Sequence, residues 1–304
     1  MTTRDILQGI GRLRALVVGD ICLDRWCTYD PATAEPSHET GIPRLGVVAT
    51  EITAGGGGNV ANNLAALRPE KVAVLGVRGN DGFGFELDSA LRARGISTDL
   101  MVQVEPWQTF TYTKLINGQS GHEDQPRVDF ISTLALPEEA EARIIDNMAS
   151  AMEEFDVVLV ADQAETAGGG VVTAAVRGAL LRLAEQHSDK IFLVDSRKRI
   201  RYFRGVMIKP NRDEAEAAST EIFGTVDLAR LRAHLEAKIM LMTDGAQGAL
   251  VLEEGKETWA RARAVENPVD ICGAGDSFAA GAGLAMAVTG DPVAAAHFGN
   301  LVAS

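Results

Sequence analysis

Asp276 closes the run Cys272-Gly273-Ala274-Gly275-Asp276. A carboxylate at the end of a glycine turn that feeds a helix is a combination with chemical meaning. Ala264 to Asp270 reads as extended, and Ser277 to Val288 is a run of small and apolar residues sufficient for about three helical turns. A turn of this kind leaves backbone N–H groups unpartnered at the positive end of the helix dipole. The backbone of Gly273, Ala274 and Gly275 therefore suits a phosphate or a developing negative charge. A carboxylate beside such a site serves plain anion binding badly. It serves better as a base that takes a proton from a hydroxyl attacking a terminal phosphate. The competing reading is an Asp that only stabilises the helix start, and this stretch alone does not separate the two.

Other polar residues stand where sheet proteins bind ligands. Ala15 to Gly19 is a buried-type strand ending in Asp20, with Asp24 shortly after. Ligands of open α/β sheets bind beyond the carboxyl ends of strands, so both carboxylates are candidates for gripping hydroxyls, with turn chemistry as the plain alternative. Gly55, Gly56, Gly57 and Gly58 precede Asn59 and a helical run to Leu67. Such glycines admit a ligand close to the backbone, and Asn59 suits both a helix cap and a substrate hydroxyl. No Gly-Lys-Ser/Thr follows, so the turn is not a P-loop. Lys114 and Arg127 are basic groups that a small β layer could offer to an anionic sugar, or simply exposed charges on an edge strand.

The elements that must position these residues alternate along the chain. Lys71–Val77 reads as a strand and 82–94 as a helix stopped by Gly95. Residues 28–45 form an excursion with little periodicity. Phe110–Ile116 alternates and is closed by Asn117-Gly118, with 127–131 as its partner strand. Strands follow at 156–161, 191–194, 205–208 and 239–242, each running into polar residues. A helix is expected over 169–187 and a hairpin over 248–262. This pattern predicts an α/β fold with a central, mostly parallel sheet and a small β lid from about 25–50 and 107–131, all in one domain over 1–304. The basic run from Arg197 to Arg201 could contact phosphates, but in so acidic a chain it reads more simply as a solvated loop.

The chain has 304 residues, 46% of them hydrophobic and 23% charged, as expected of a globular protein with a sizeable core. Its formal charge of −13 excludes general nucleic-acid binding. No apolar run suits a membrane span or a signal peptide. Three cysteines, Cys22, Cys27 and Cys272, argue for free thiols in a cytoplasmic protein rather than for a disulfide framework or zinc.

Taken together, these motifs resemble the ribokinase-like (PfkB) carbohydrate kinases over essentially the whole chain. The resemblance rests on Gly55 to Asn59, on Asp270-Ile271-Cys272-Gly273-Ala274-Gly275-Asp276, on Asn211-Arg212-Asp213-Glu214, and on Thr243-Asp244-Gly245-Ala246-Gln247-Gly248. It implies a three-layer ribokinase-like fold and ATP-dependent phosphorylation of a sugar or sugar phosphate. Asp276 is then the base, and Gly273, Ala274 and Gly275 form the anion hole. Asp20, Asp24, Gly56, Gly57 and Asn59 hold the sugar, and Lys114 and Arg127 anchor a phosphate if the sugar carries one. Asn211, Thr243, Gly245, Gly248, Asp270 and Asn300 lie along ATP, with Asn211 and Glu214 organising Mg²⁺. A K⁺ ion, which some members bind, and a homodimer paired through the lids are also implied. Val18 to Arg25, 113–115, 127–130 and 194–196 resemble the kinase module that phosphorylates D-glycero-D-manno-heptose 7-phosphate. Pro31 to Pro43 departs from that pattern, as do Asp162-Gln163-Ala164-Glu165, which replaces an expected Asp-Tyr-x-Lys-Gly, and Ile271, which replaces a usual Thr. A kinase for a nucleoside-like acceptor and a catalytically silent binding protein are the rival readings.

Overall fold

The structure is a computed structural model that describes residues 1–164, 169–263 and 273–304. The expected extended run 264–270, with Asp270, lies outside the described residues, as do Glu165, Ile271 and Cys272. In chain order the strands are β1 (Arg14–Gly19), β2 (Ile21–Pro36), β3 (Pro43–Gly56), β4 (Lys71–Leu75), β5 (Val77–Gly79), β6 (Val102–Val104) and β7 (Thr111–Asn117). They continue as β8 (Val128–Phe130), β9 (Val157–Asp162), β10 (Ile191–Ser196), β11 (Met207–Ile208), β12 (Met240–Thr243), β13 (Ala249–Glu253) and β14 (Lys256–Ala260). The helices are α1 (Thr3–Ile10), α2 (Gly57–Ala66), α3 (Gly82–Ala93), α4 (Glu138–Ala151), α5 (Ala174–Gln186), α6 (Arg212–Phe223), α7 (Leu228–His234), α8 (Ala274–Thr289) and α9 (Pro292–Val302).

Eight strands form the central sheet in the order β14-β13-β12-β11-β10-β9-β1-β4. Pairing is parallel from β4 to β12, and only β13 runs against it, in a hairpin whose second strand β14 runs with the rest. Successive residues of β1 point to opposite faces, and both faces are covered. Leu16 and Val18 join one core with Ile144, Met148, Val176, Leu180 and Leu231, contributed by α4, α5 and α7. Ala15 and Val17 join the other with Leu64, Leu91, Phe278 and Ala296, contributed by α2, α3, α8 and α9. Each buried Leu, Ile or Val contributes about 1.5–3 kcal/mol. The small residues of α8 let it lie close to the sheet: a Cβ on Gly283 would stand 2.7 Å from Leu159 Cδ2.

A second sheet, ordered β3-β2-β7-β8, stands beside the carboxyl end of β1. The excursion of little periodicity expected over 28–45 takes its place in this small sheet as regular strand. β2 and β3 pair as one long antiparallel hairpin as far as Pro36 and Pro43, with two register shifts along it. Its outer part is exposed on both faces, so no alternation of apolar residues marks it in the sequence. β7 and β8 pair antiparallel as expected. The strand expected over 71–77 divides at Gly76, and β5 leaves the central sheet to pair with β6. The helix expected from 169 begins only at Ala174, capped by the Thr173 hydroxyl. Residues 169–172 stay out of it because the Val171 N–H is committed to Asp20 Oδ1 at 2.8 Å.

Candidate active site

Every parallel strand from β1 to β12 ends on the same edge of the sheet, where the polar residues gather. Across that edge lies the N-terminus of α8. Gly273 is its N-cap, with φ of 81°, and a Cβ there would come 2.7 Å from Asn59 Nδ2. This position demands glycine twice over, by backbone and by space. Asp276 sits in the first turn and makes no capping hydrogen bond to the helix start. Its Oδ2 accepts a 2.7 Å hydrogen bond from Asn59 Nδ2. Burial pushes the Asp276 carboxyl above its ordinary pKa, and the nearby Asp195 adds to the rise. The Asn59 hydrogen bond, Lys209 and Arg197 work the other way. Asn59 does not cap α2, whose N-cap is Gly56; its amide is turned to Asp276 instead.

Asn59 and Asp276 share a cavity of about 320 Å³ with Asp24, Gly56, Lys114 and Arg127. Its wall on one side is the small sheet. Parallel pairing of β2 with β7 places Trp26 beside Lys114, whose ammonium lies 6.0 Å from the indole ring. Asp24 is seated against Gly55, where a Cβ would come within 2.4 Å of the carboxylate. Burial raises the Asp24 pKa, while Lys114 and then Arg127 pull it down. Arg127 is paired with Asp129 and lies 5.0 Å from the Tyr112 ring. Arg25 also lines the cavity and is paired with Glu86.

On the far side of the sheet edge, α6 begins with a capping box. The Glu214 N–H donates to Asn211 Oδ1 and the Asn211 N–H to Glu214 Oε2, both at 2.8 Å. Glu214 Oε1 accepts no hydrogen bond among the described residues. Burial raises the Glu214 pKa against that backbone hydrogen bond, so the site disfavours a bare charge there. Magnesium binds through one or two carboxylates together with substrate phosphates and retained water. One half-buried glutamate with an unspent oxygen fits that mode of holding Mg²⁺; Asn211 has its oxygen committed to the cap. Thr243 bridges to Asn211 in parallel fashion, so the turn at Gly245 and Gly248 adjoins the α6 start. The Asn300 amide donates to the Ala260 carbonyl at 2.8 Å, tying α9 to β14.

Three sequence expectations are corrected. Asp20 grips no ligand: it is fully buried, and its carboxylate accepts N–H groups from Gln163, Ala164 and Val171, each at 2.8 Å. Burial pushes its pKa up to about 6, with those amides opposing. Gly57 is buried against Ile21 and Ala161, and its N–H is spent on the Asp20 carbonyl. The basic run after β10 is solvated only in part: Arg197 and Lys198 are exposed. Arg199 pairs with the fully buried Asp162, Arg201 with Glu221, and Arg197 lines the cavity.

Lys209 and Gln163 carry no role in the sequence reading, and Arg197 was set aside there with the basic run as a solvated loop. Lys209 follows β11, is 3% exposed, and holds Asp195 at 2.9 Å. Its ammonium stands 3.4 Å from the point where a Cβ on Gly275 would lie, directly beneath the α8 N-terminus. Burial works to lower the Lys209 pKa, but Asp195, Glu214 and Asp276 together hold it above its ordinary value. The signal available in the sequence was a lysine at the end of a buried strand, which demands a partner.

A helix N-terminus with a glycine cap, a buried carboxylate and a cavity lined by basic residues are thus assembled at one sheet edge, and comparison with known proteins bears on what they do. Ribokinase from Thermotoga maritima superposes with a TM-score of 0.66 at 20% identity, covering 96% of this chain and 91% of that one. Arabidopsis thaliana ribokinase complexed with ribose and ATP gives 0.67 at 20% identity, covering 96% and 92%. Those likenesses carry the ribokinase-like fold. In sequence, the chain is 30% identical over 309 aligned residues to the bifunctional protein HldE of Pelobacter propionicus, covering 98% of this chain and 60% of that protein. It is 32% identical over 306 to HldE of a Caulobacter strain, covering 95% and 58%. The chain therefore spans about three fifths of the length of these curated relatives. Residues 15–304 match the pattern of the pfkB family carbohydrate kinases, from the first strand of the sheet through the glycine turn and Asp276, and the chain belongs to that family.

Proposed function

We propose that the protein transfers the γ-phosphoryl group of ATP to a hydroxyl of a sugar that already carries an anionic group. The observation that supports this reading is Asp276, held by Asn59 at the α8 N-terminus and facing a cavity with basic walls. The acceptor lies between Asp24 and the small sheet, with one hydroxyl at Asp276. The hydroxyl proton passes to the Asp276 carboxylate as the acceptor oxygen bonds to the γ-phosphorus. The bond from that phosphorus to the β–γ bridging oxygen breaks, and its electron pair leaves on ADP. The N–H groups following Gly273 face the charge that gathers on the γ-oxygens. Magnesium, when bound by the phosphates and Glu214, neutralises part of that charge. Thr243, Gly245, Gly248 and Asn300 line the ATP side.

ADP release from MgATP tests the reading against a panel of ribose, fructose, their phosphates, heptose 7-phosphate and inosine. Turnover is expected with one phosphorylated sugar and not with its unphosphorylated parent. Lys114→Ala should raise the KM for that sugar phosphate about tenfold, the worth of one charge-assisted contact, with kcat nearly unchanged. Preference for an uncharged acceptor would refute the anionic substituent, and turnover of inosine alone would make this a nucleoside kinase.

The pH dependence follows from the Asp276 environment. The base works deprotonated, so activity falls as pH drops through its pKa, which burial raises. The Asn59 hydrogen bond is the first force opposing that rise. Asn59→Leu should move the acid limb of kcat/KM to higher pH. A limb that stays in place would separate Asn59 from the base.

A further inference from the structure

The order of strands at the sheet edge is a map of the reaction. Reading from β12 through β11, β10 and β9 to β1, the loops carry Thr243, then Lys209 to Asn211, then Arg197, then Gln163, then the turn toward Asp24. The nucleotide residues stand at one end and the acceptor residues at the other. Arg197 stands between them and lines one cavity with Gly273 and Asp276 of the α8 start.

Four cations line the cavity: Arg25, Lys114, Arg127 and Arg197. Arg25 is paired with Glu86 and Arg127 with Asp129. Lys114 belongs to β7, on the acceptor wall. Arg197 forms no ion pair among the described residues. Its Nε donates to Gln163 Oε1 at 2.6 Å, which leaves Nη1 and Nη2 without a hydrogen bond among the described residues. Nor is it a loosely tethered side chain. Its backbone N–H donates to the Asp162 carbonyl, and the Gln163 N–H is fixed in turn by the buried Asp20. Asp20, displaced from the role of ligand, thereby becomes the support of a chain of contacts that ends in an aimed guanidinium.

We propose that Arg197 is a further catalytic residue, a positive contact on the phosphoryl group in transit, with Gln163 as its positioning residue. The inference rests on the kinase reading above. During the transfer written there, negative charge gathers on the γ-phosphoryl oxygens, and the α8 N–H groups meet it from one side only. A planar guanidinium in the same cavity, with two nitrogens that make no hydrogen bond among the described residues, can add to them and suits phosphate oxygens in geometry as well as charge. In a chain of net charge −13, an arginine that forms no ion pair with any described carboxylate while lining one cavity with Gly273 and Asp276 is placed for an anion.

The test uses MgADP with and without aluminium fluoride, which fills the place of the phosphoryl group in transit. Binding is followed by calorimetry and by the fluorescence of Trp26 in the cavity wall. Arg197→Ala should bind MgADP within about twofold of the wild type, yet lose at least about tenfold of the tightening that aluminium fluoride produces. Arg197→Lys should keep part of that tightening, and Gln163→Ala should lose about threefold of it. In turnover, Arg197→Ala should lower kcat about a hundredfold with the KM for ATP unchanged. Arg197 is exposed on its loop, so an unaltered thermal midpoint is expected and checks that the variant is folded. Full tightening in Arg197→Ala would overturn the proposal, as would a change confined to the acceptor KM. A wild type that binds MgADP but gains nothing from aluminium fluoride would also overturn it. A wild type that fails to bind MgADP refutes the kinase reading itself, which is a different outcome.

Discussion

Replacing Asp276 by asparagine should lower turnover about a thousandfold, within the range removed with a general base, while MgATP affinity stays within about twofold. Asparagine matches the carboxylate in size, and its oxygen can still accept from Asn59 Nδ2. The shape of the α8 start is therefore kept, and only the capacity to take a proton is lost. Steady-state kinetics on the reactive acceptor, with calorimetry of nucleotide binding, separates the two effects. The pH profile gives a second check. The acid limb assigned to Asp276 should disappear from the residual activity of the variant. Turnover within a few fold of the wild type would show that the proton leaves by another route.

Lys209→Met should have the largest effect on stability. The lysine and its partner Asp195 are both buried, with side chains 4% and 12% exposed. Removing one member leaves the other charge uncompensated, at a cost of about 3–5 kcal/mol, measurable by urea unfolding. The double variant Asp195→Leu with Lys209→Met should recover most of that loss, because neither charge then remains. Activity should not recover with it, since Lys209 also supplies the positive charge beneath Gly275. The pair is expected to be intact over the whole ordinary assay range. Its folded-state pKa is raised, so its contribution is complete below the ordinary lysine value and fades only as pH climbs through the raised one. A stability near that of the wild type in Lys209→Met would mean that water reaches Asp195.

How much of this was legible beforehand differs from residue to residue. The glycine turn and Asp276 are contiguous, so their geometry is local and could be read directly. The same is true of the apolar runs that became β1, β9, β10 and β12. Asp20 could not be placed, because a carboxylate after a strand looks the same whether it faces solvent, a ligand or three backbone amides. The helix start at Thr173 was hidden for the same reason: Val171 is removed from the helix by a residue 151 positions away. Asn211 and Glu214 were read as metal organisers, but their spacing is also that of a capping box, and the structure shows the box formed. Gln163, Arg197 and Lys209 take their meaning from strand order, which no short motif encodes.

One contact described above also governs how the protein comes into being. Asn59 and Asp276 are separated by 217 positions, yet they share a single hydrogen bond. The proposed base is thus tuned by a partner far away in sequence, and closing so long a separation is slow. During synthesis β1, α2, β9 and β10 emerge and can pair well before α8 leaves the ribosome. A nascent chain cut short at that stage would hold much of the central sheet and the whole acceptor wall, yet no base and no anion hole. The proposed reactive centre exists only once these two distant segments have met.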